Sequence, residues 1–230
     1  MAPPAVVVDN ITRRFGRRTA LAGVSFTLDP HECLAIFGPN GAGKTTLLKI
    51  VAGLLAPHGG SVSPFGLAAR SAVGLISHQT MLYPELTALE NVEFAARLYG
   101  VAEPRTAALA SLASLGVQDR ADTFVRQLSR GLQQRVSIAR SFVHRPSIVL
   151  LDEPFTGLDA HGAHVLTDAL LHLKAAGAAL ILVTHNLDEG LALATWVAVL
   201  NEGRFASYDA RSDIDPVTYA ARYRAVLCPP

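Results

Sequence analysis

The sequence predicts an α/β fold, with a mostly parallel core sheet, an antiparallel β layer ahead of it and an inserted helical subdomain. Three observations carry that expectation. Short β-branched runs recur along the chain: AVVVDN, VSFTL, CLAIF, VGLIS, SIVLLD, AALILVT and WVAVLN. Helical patterns separate several of them, and alternating strands and helices build a parallel sheet. From about Thr87 to Val143 the strand signal stops.

Each element is justified by its place. The first runs succeed one another with no room for helices, so they form the antiparallel layer. CLAIF is a core strand, and TTLLKIVAGLL is the helix behind it. ALENVEFAARLYG, RTAALASLASLG and LQQRVSIARSFVH read as helices, with Gly100 and Gly116 at their C-terminal stops. SIVLLD and AALILVT resume the core with the helix AHVLTDALLHLKAAG between them, and AARYRAVLCPP reads as a last helix. The expectation is a single domain over residues 1–230, with a core at about 1–82 and 145–230 and a helical subdomain at about 83–144. No internal repeat or long linker interrupts it.

Composition narrows the function classes. Half of the 230 residues are apolar and 17% are charged, enough to bury a sizeable core. A net charge of +1 gives no reason to expect a nucleic-acid surface. Cys33 and Cys228 lie too far apart in sequence for a disulfide framework or a metal pattern, and Cys33, in CLAIF, is expected in the core. The opening MAPPAVVVDN lacks a positive n-region, so no signal peptide is read. No stretch approaches the ~20 apolar residues of a membrane span. Work at a membrane then requires docking to something that spans it.

The chemistry begins at Gly38-Pro39-Asn40-Gly41-Ala42-Gly43-Lys44-Thr45, which fills every fixed position of a phosphate-binding loop between a strand and a helix. Backbone N–H groups converge on phosphate oxygens only where side chains do not intervene, and the helix N-terminus adds partial positive charge. Lys44 is expected at the terminal phosphates and the Thr45 hydroxyl on Mg²⁺; Thr46 lies beside them. Ser147–Glu153 is a buried strand ending in two carboxylates, as happens where a parallel sheet's C-terminal edge meets a ligand. Asp152 is expected in the Mg²⁺ shell, through water. Glu153, beyond it, is expected to deprotonate an attacking water, for about 10²–10⁴-fold in rate. His185 and Gln79 each come after an apolar strand and should emerge at the same edge. His185 suits a γ-phosphate contact, and Gln79 suits Mg²⁺ or water. His144, His161, His164 and His172 show no metal-ligand spacing and read as surface residues.

LSRGLQQRVSIARS raises a separate question. It is a helix N-terminus capped by Ser129, with Gly131 in the first turn, and it lies in the helical insertion. Ser129, free N–H groups and the missing side chain of Gly131 form a second cup for an anion, although a plain capped helix starts in the same way. If the cup does not serve its own chain's nucleotide, a second copy's nucleotide is the recipient. Two-fold symmetry then yields two shared sites.

Taken together, the phosphate loop, the Gln79 loop, Leu128–Gln133, the acidic strand to Glu153 and Thr184-His185 resemble the nucleotide-binding subunit of ABC transporters. The resemblance covers essentially the whole chain. It implies ATP and Mg²⁺ as ligands, ATP hydrolysis, a homodimer closed by ATP, integral membrane permease partners, and a peripheral location on the cytoplasmic face of the inner (plasma) membrane. Thr156–Asp159 matches the family's D-loop and implies a cross-dimer contact near Asp159. Phe15, in RRFGRR, occupies the place of the aromatic that stacks on adenine, the alternative being a core residue. The family usually has Gly where this chain has Arg130. The run HQTMLYPELTALENVEFAARLYG, with LSRGLQQR and LLDEPFTGLD, is similar to the haem-exporter subunit of cytochrome c maturation, and implies haem or a haem chaperone only as an indirect partner. Drug, polysaccharide and antibiotic exporters share much of this wording. Leu82, Tyr83 and Leu86 are expected either at a partner's docking surface or over the insertion's own core. Two other classes compete: a soluble non-transport ABC ATPase, and a P-loop kinase with a small-molecule acceptor. The first usually needs two cassettes or a coiled-coil insertion, and the second leaves the helix that opens at Leu128–Gln133, the family's signature, without a purpose.

Overall fold

In the computed structural model, which describes residues 3–64, 71–77, 80–215, 218–221 and 223, the elements run in the order β1 (Val6–Phe15), β2 (Arg18–Leu28), β3 (Cys33–Phe37), α1 (Lys44–Val51), β4 (Gly59–Ser63), β5 (Val73–Ile76), α2 (Ala88–Leu98), α3 (Pro104–Ser114), α4 (Arg130–Phe142), β6 (Ile148–Asp152), α5 (Ala160–Ala175), β7 (Ala179–Val183), α6 (Leu187–Leu193), β8 (Trp196–Asn201) and β9 (Arg204–Ala210). They pack as two units. The first comprises Met1–Val73, Ser147–Glu153 and Lys174–Pro230; the second comprises Gly74–Pro146 and Pro154–Leu173.

In the first unit the core strands run in the order β6-β7-β3-β8-β9. β6, β7, β3 and β8 are parallel, and β9 returns antiparallel along β8. Every residue of β3, β6 and β7 is buried. That is why these strands read as unbroken apolar runs: a parallel strand is covered on both faces. Cys33 is fully buried as expected, and burial pushes its thiol up to about 12, where it stays an inert thiol. The antiparallel layer is β2-β1-β4. One face of the core carries a cluster of Ala35, Phe37, Leu191, Val197, Val199, Ile214, Tyr219 and Tyr223.

Three elements of this unit escaped the sequence pattern. β4 is GGSVS, with Val62 its one buried residue, and β9, RFASYDA, mixes aromatic and polar residues with none of them buried. β4 is held by backbone pairing with β1, whereas β9 adds ring contacts to its pairing with β8, Phe205 against Phe26 and Tyr208 against Trp196. α6 has seven residues, too few to display a helical period. Of the expected last helix, Ala220, Ala221 and Tyr223 are helical, with Thr218 and Tyr219 helical ahead of it; the rest lies outside the described residues, as does Cys228.

The register of the core positions the site. Asp152 pairs with Val183, and Val183 pairs with Ile36. The carboxyl ends of β6, β7 and β3 therefore stop level, and the loops leaving these three strands emerge at one edge of the sheet.

In the second unit α2, α3 and α4 pack together around Val92, Ala96, Ala108, Leu112, Val136 and Ala139, all fully buried. α2 opens with a reciprocal cap. Glu90 N–H donates to Thr87 Oγ1 (3.1 Å), and Thr87 N–H donates to Glu90 Oε2 (2.8 Å). The buried Asn91 pins the segment before it, donating to Tyr83 O (3.1 Å) and Thr87 O (2.9 Å) and accepting from Tyr83 N–H (2.8 Å). α2 and α3 stop at the expected Gly100 and Gly116, both with positive φ. His144 departs from its reading as a surface residue: it is half-buried and lies stacked on Tyr99, with ring centres 3.7 Å apart.

Candidate functional site

A loop that receives an anion must turn its carbonyls away, and residues 38–43 do so almost one by one. Lys44 Nζ donates to Gly38 O (2.6 Å) and Pro39 O (3.0 Å). Ala42 N–H also donates to Pro39 O (3.2 Å). Arg18 donates to Gly41 O at 2.9 Å, Gly203 N–H to Ala42 O at 3.0 Å and Leu47 N–H to Gly43 O at 2.9 Å. Among the described residues, no protein acceptor takes the N–H groups of Gly41, Gly43, Lys44 or Thr45. With the start of α1 directly behind them, these groups form a concave donor surface for an anion. Gly43 cannot be replaced cheaply. Its φ is +110°, and a Cβ there would lie 2.3 Å from Ala20 O. Asn40 is exposed at the loop's tip, and Thr46 is half-buried in the first turn of α1.

The carboxylates stand at the neighbouring strand end. Asp152 is buried, and Thr45 Oγ1 donates to its Oδ2 at 2.9 Å. Burial pushes the Lys44 ammonium below its ordinary value, while the charges of Glu153 and Asp152 work against that shift. Glu153 adopts a left-handed backbone (φ 53°), with its N–H donating to Val183 O at 2.9 Å. Such a conformation costs a non-glycine residue on the order of 1–3 kcal/mol, and it turns the side chain off the strand. His185 Nδ1 lies 2.8 Å from Glu153 Oε2. A carboxylate only accepts, which assigns the ring hydrogen to Nδ1. Thr184, buried, donates to Glu189 Oε2 (3.2 Å) and accepts from Asn186 N–H (3.1 Å), fixing the turn that carries His185. The hydroxyl of Thr45 and the carboxylate of Asp152 are hard oxygen donors. No group of three or more His, Cys, Asp or Glu suited to a metal occurs among the described residues. That donor set fits Mg²⁺, which keeps waters and phosphate oxygens in its shell and needs few protein ligands.

Phe15 stands at the end of β1. It is 49% exposed, so it is no core residue, and Arg13 lies over its ring at 4.9 Å from the centre.

The signature helix lies in the second unit. Ser129 caps α4, accepting from Leu132 N–H at 3.4 Å, and both Ser129 and Arg130 are exposed. A Cβ on Gly131 would lie 3.3 Å from Gly157 O. Gly157 has φ +85°, and the Arg130 stem packs over it, with Nε 3.6 Å from where a Cβ would stand. Arg130 is thus accommodated along the Thr156–Asp159 loop. Asp159 Oδ1 accepts from Gly162 N–H at 2.7 Å, so one of its oxygens starts α5. Gln79 lies outside the described residues.

The structure therefore gathers Gly38–Thr46, Asp152, Glu153 and His185 in one unit, with Phe15 in the same unit, and sets Ser129 and Gly131 in the other. Sequence reasoning missed Arg18 and Glu189. Arg18 sits opposite an aromatic across a two-residue turn, a hairpin signal legible in RRFGRR; Glu189 gave no signal, because α6 was not foreseen.

The family described as ABC transporter matches residues 21–156. The chain is 33% identical over 213 residues to Nod factor export ATP-binding protein I of Paraburkholderia xenovorans, covering 89% of this chain and 70% of that protein. It is 37% identical over 223 residues to the spermidine/putrescine import ATP-binding protein PotA of Pseudomonas aeruginosa, covering 93% of this chain and 61% of that one. Among solved structures, an ATP-binding subunit of an ABC transporter superposes with a TM-score of 0.85 at 30% identity, covering 94% of each chain. A dimeric ATP-binding cassette in a post-hydrolysis state with ADP and Pi superposes at 0.80 with 28% identity, covering 90% of this chain and 98% of that one.

Proposed function

The chain belongs to the ABC transporter family as one of its ATP-binding subunits, and on that premise we propose that it hydrolyses ATP to drive membrane partners through closure of a two-copy sandwich. One observation carries this reading: free loop N–H groups, a hydroxyl–carboxylate pair and a histidine-held glutamate share one sheet edge. The N–H groups of Gly41, Gly43, Lys44 and Thr45 and the Lys44 ammonium bind and orient the β- and γ-phosphates. Thr45 and Asp152 would hold Mg²⁺, which when bound supplies charge neutralisation to those phosphates. Gln79 joins them on the strength of the sequence alone.

Glu153 accepts the proton of the attacking water. Its strained backbone and its contact with His185 hold the carboxylate in one orientation, so little reorganisation accompanies proton transfer. His185, exposed beside it, reaches the terminal phosphate through Nε2. Phe15 offers a ring face to adenine. Ser129 and Gly131 of a second copy cover the phosphates from the far side, with Asp159 beside them.

On the second unit Met81, Tyr83, Phe94 and Leu98 are exposed, with the Tyr83 and Phe94 rings edge-on at 5.6 Å. An apolar surface of this kind suits docking of a permease, which supports a peripheral position on the cytoplasmic face of the membrane. Leu82 and Leu86 are half-buried and belong more to the unit's own packing. No described helix is long and apolar enough to cross a membrane. The chain spans about three fifths of the polyamine-import relative it matches, and the relatives are named for different cargoes and opposite directions. Export of haem for cytochrome c maturation is the narrower reading. It draws support only from the likeness of the His78–Gly100 run together with LSRGLQQR and LLDEPFTGLD, and those relatives lend it none.

Glu153→Gln tests the hydrolytic reading. The variant should bind ATP as the parent does, turn over at least about 100-fold more slowly, and accumulate as an ATP-dependent dimer on gel filtration. Undiminished hydrolysis, or a variant that stays monomeric with ATP, overturns it.

A further inference from the structure

We propose that Arg18 is a positioning residue for the nucleotide, tying the aromatic hairpin to the phosphate loop so that base and phosphate contacts form together. The proposal rests on the reading of residues 38–45 as a phosphate cradle and of Phe15 as the adenine platform, and adds to it a group that neither requires.

β1 and β2 are joined by Gly16 and Arg17, and Phe15 pairs directly with Arg18 across that turn. Gly16 takes φ +56°, as a tight two-residue hairpin loop demands. The hairpin is anchored on both of its strands. On β1, Arg13 Nη1 donates to Ala56 O (2.8 Å) and Arg14 N–H donates to His58 Nδ1 (3.2 Å). On β2, Arg18 Nη2 donates to Gly41 O at 2.9 Å, inside the phosphate loop. Gly41 has φ +82°, and a Cβ there would lie 2.5 Å from Arg18 Nη2. The guanidinium thus fills the space that any side chain at position 41 would need.

The tether has two effects. The hairpin that presents Phe15 is held at a set distance from the loop N–H groups, which pre-pays the ordering that joint recognition of base and phosphate would otherwise cost. The cradle itself keeps its other anchors, at Lys44 and Gly203, so phosphate binding alone does not depend on Arg18.

The experiment measures the Mg²⁺-dependent Kd of ATP and of inorganic tripolyphosphate by calorimetry, on the full chain, for the parent, Arg18→Gln, Phe15→Ala and the double variant. Arg18→Gln should weaken ATP about tenfold, the scale of one charge-assisted hydrogen bond, and raise KM while sparing kcat. Tripolyphosphate should bind as before, and Phe15→Ala should add little once Arg18 is gone. Arg18→Lys, which keeps a donor of similar reach, should recover part of the loss; it also supplies the comparison if the glutamine variant melts early. An unchanged ATP Kd overturns the tether. So does an equal loss for tripolyphosphate, which would make Arg18 a direct phosphate ligand, and so do effects that simply multiply. A parent chain that binds tripolyphosphate but discriminates no base overturns the platform reading beneath it, and one that binds neither ligand overturns the cradle reading.

Discussion

A carboxyl group drawn out of water resists ionisation, and Glu189 is such a group beside the Glu153–His185 pair. Burial raises its pKa; the Thr184 hydrogen bond lowers it, the Glu153 charge raises it further, and His185 lowers it. A raised carboxyl lends stability that is complete below its unfolded value and is lost as pH climbs through its folded value. Glu189→Gln, which keeps the oxygen that accepts from Thr184, should therefore melt higher than the parent at about pH 8. The gap should shrink towards about pH 4.5, where the parent's carboxyl regains its proton. Thermal melts across that range decide it, and a gap that does not vary with pH would remove burial as the cause.

At the scale of elements, the helical unit depends on how its helices begin. Thr87 and Glu90 satisfy each other's backbone N–H groups at the start of α2, and the hydrogen bonds to Thr87 hold the Glu90 carboxyl below its ordinary value. Removing the capping hydroxyl in Thr87→Ala should cost about 0.5–2 kcal/mol, read as a fall of roughly 1–8 °C in Tm. Thr87→Ser, which keeps the hydroxyl, should recover most of it. The cap also sets Asn91 at the point where it holds Tyr83, so limited proteolysis should find the Tyr83–Leu86 segment more open in the alanine variant. An unaltered melting point would mean that packing alone holds the start of this helix. β4 and β9 make the opposite case, since they are strands that apolar patterning does not announce.

At the scale of the whole molecule, the sandwich reading divides each hydrolytic pocket between two copies. Lys44→Ala disables the phosphate loop and Ser129→Arg blocks the opposing cup, so neither variant alone should hydrolyse ATP. Mixed, they form heterodimers in which one pocket of two is whole. ATPase assays should then recover up to about one quarter of the parent rate, since half of random dimers are mixed. A mixture as inactive as its parts would confine the whole pocket to one chain.

The sequence by itself determined the class of fold, the phosphate loop, the acidic strand end and the cap at Ser129. Each depends on short-range rules: apolar runs for covered strands, glycines where the backbone must turn, a hydroxyl before a helix. Only the tertiary structure decided that Glu153 leans on His185, that Arg130 lies along Gly157 and that Arg18 reaches Gly41. Those contacts join residues brought together by strand register and hairpin closure. Distance along the chain carries no trace of them, because the energy that selects each one is gained only once both partners are in place.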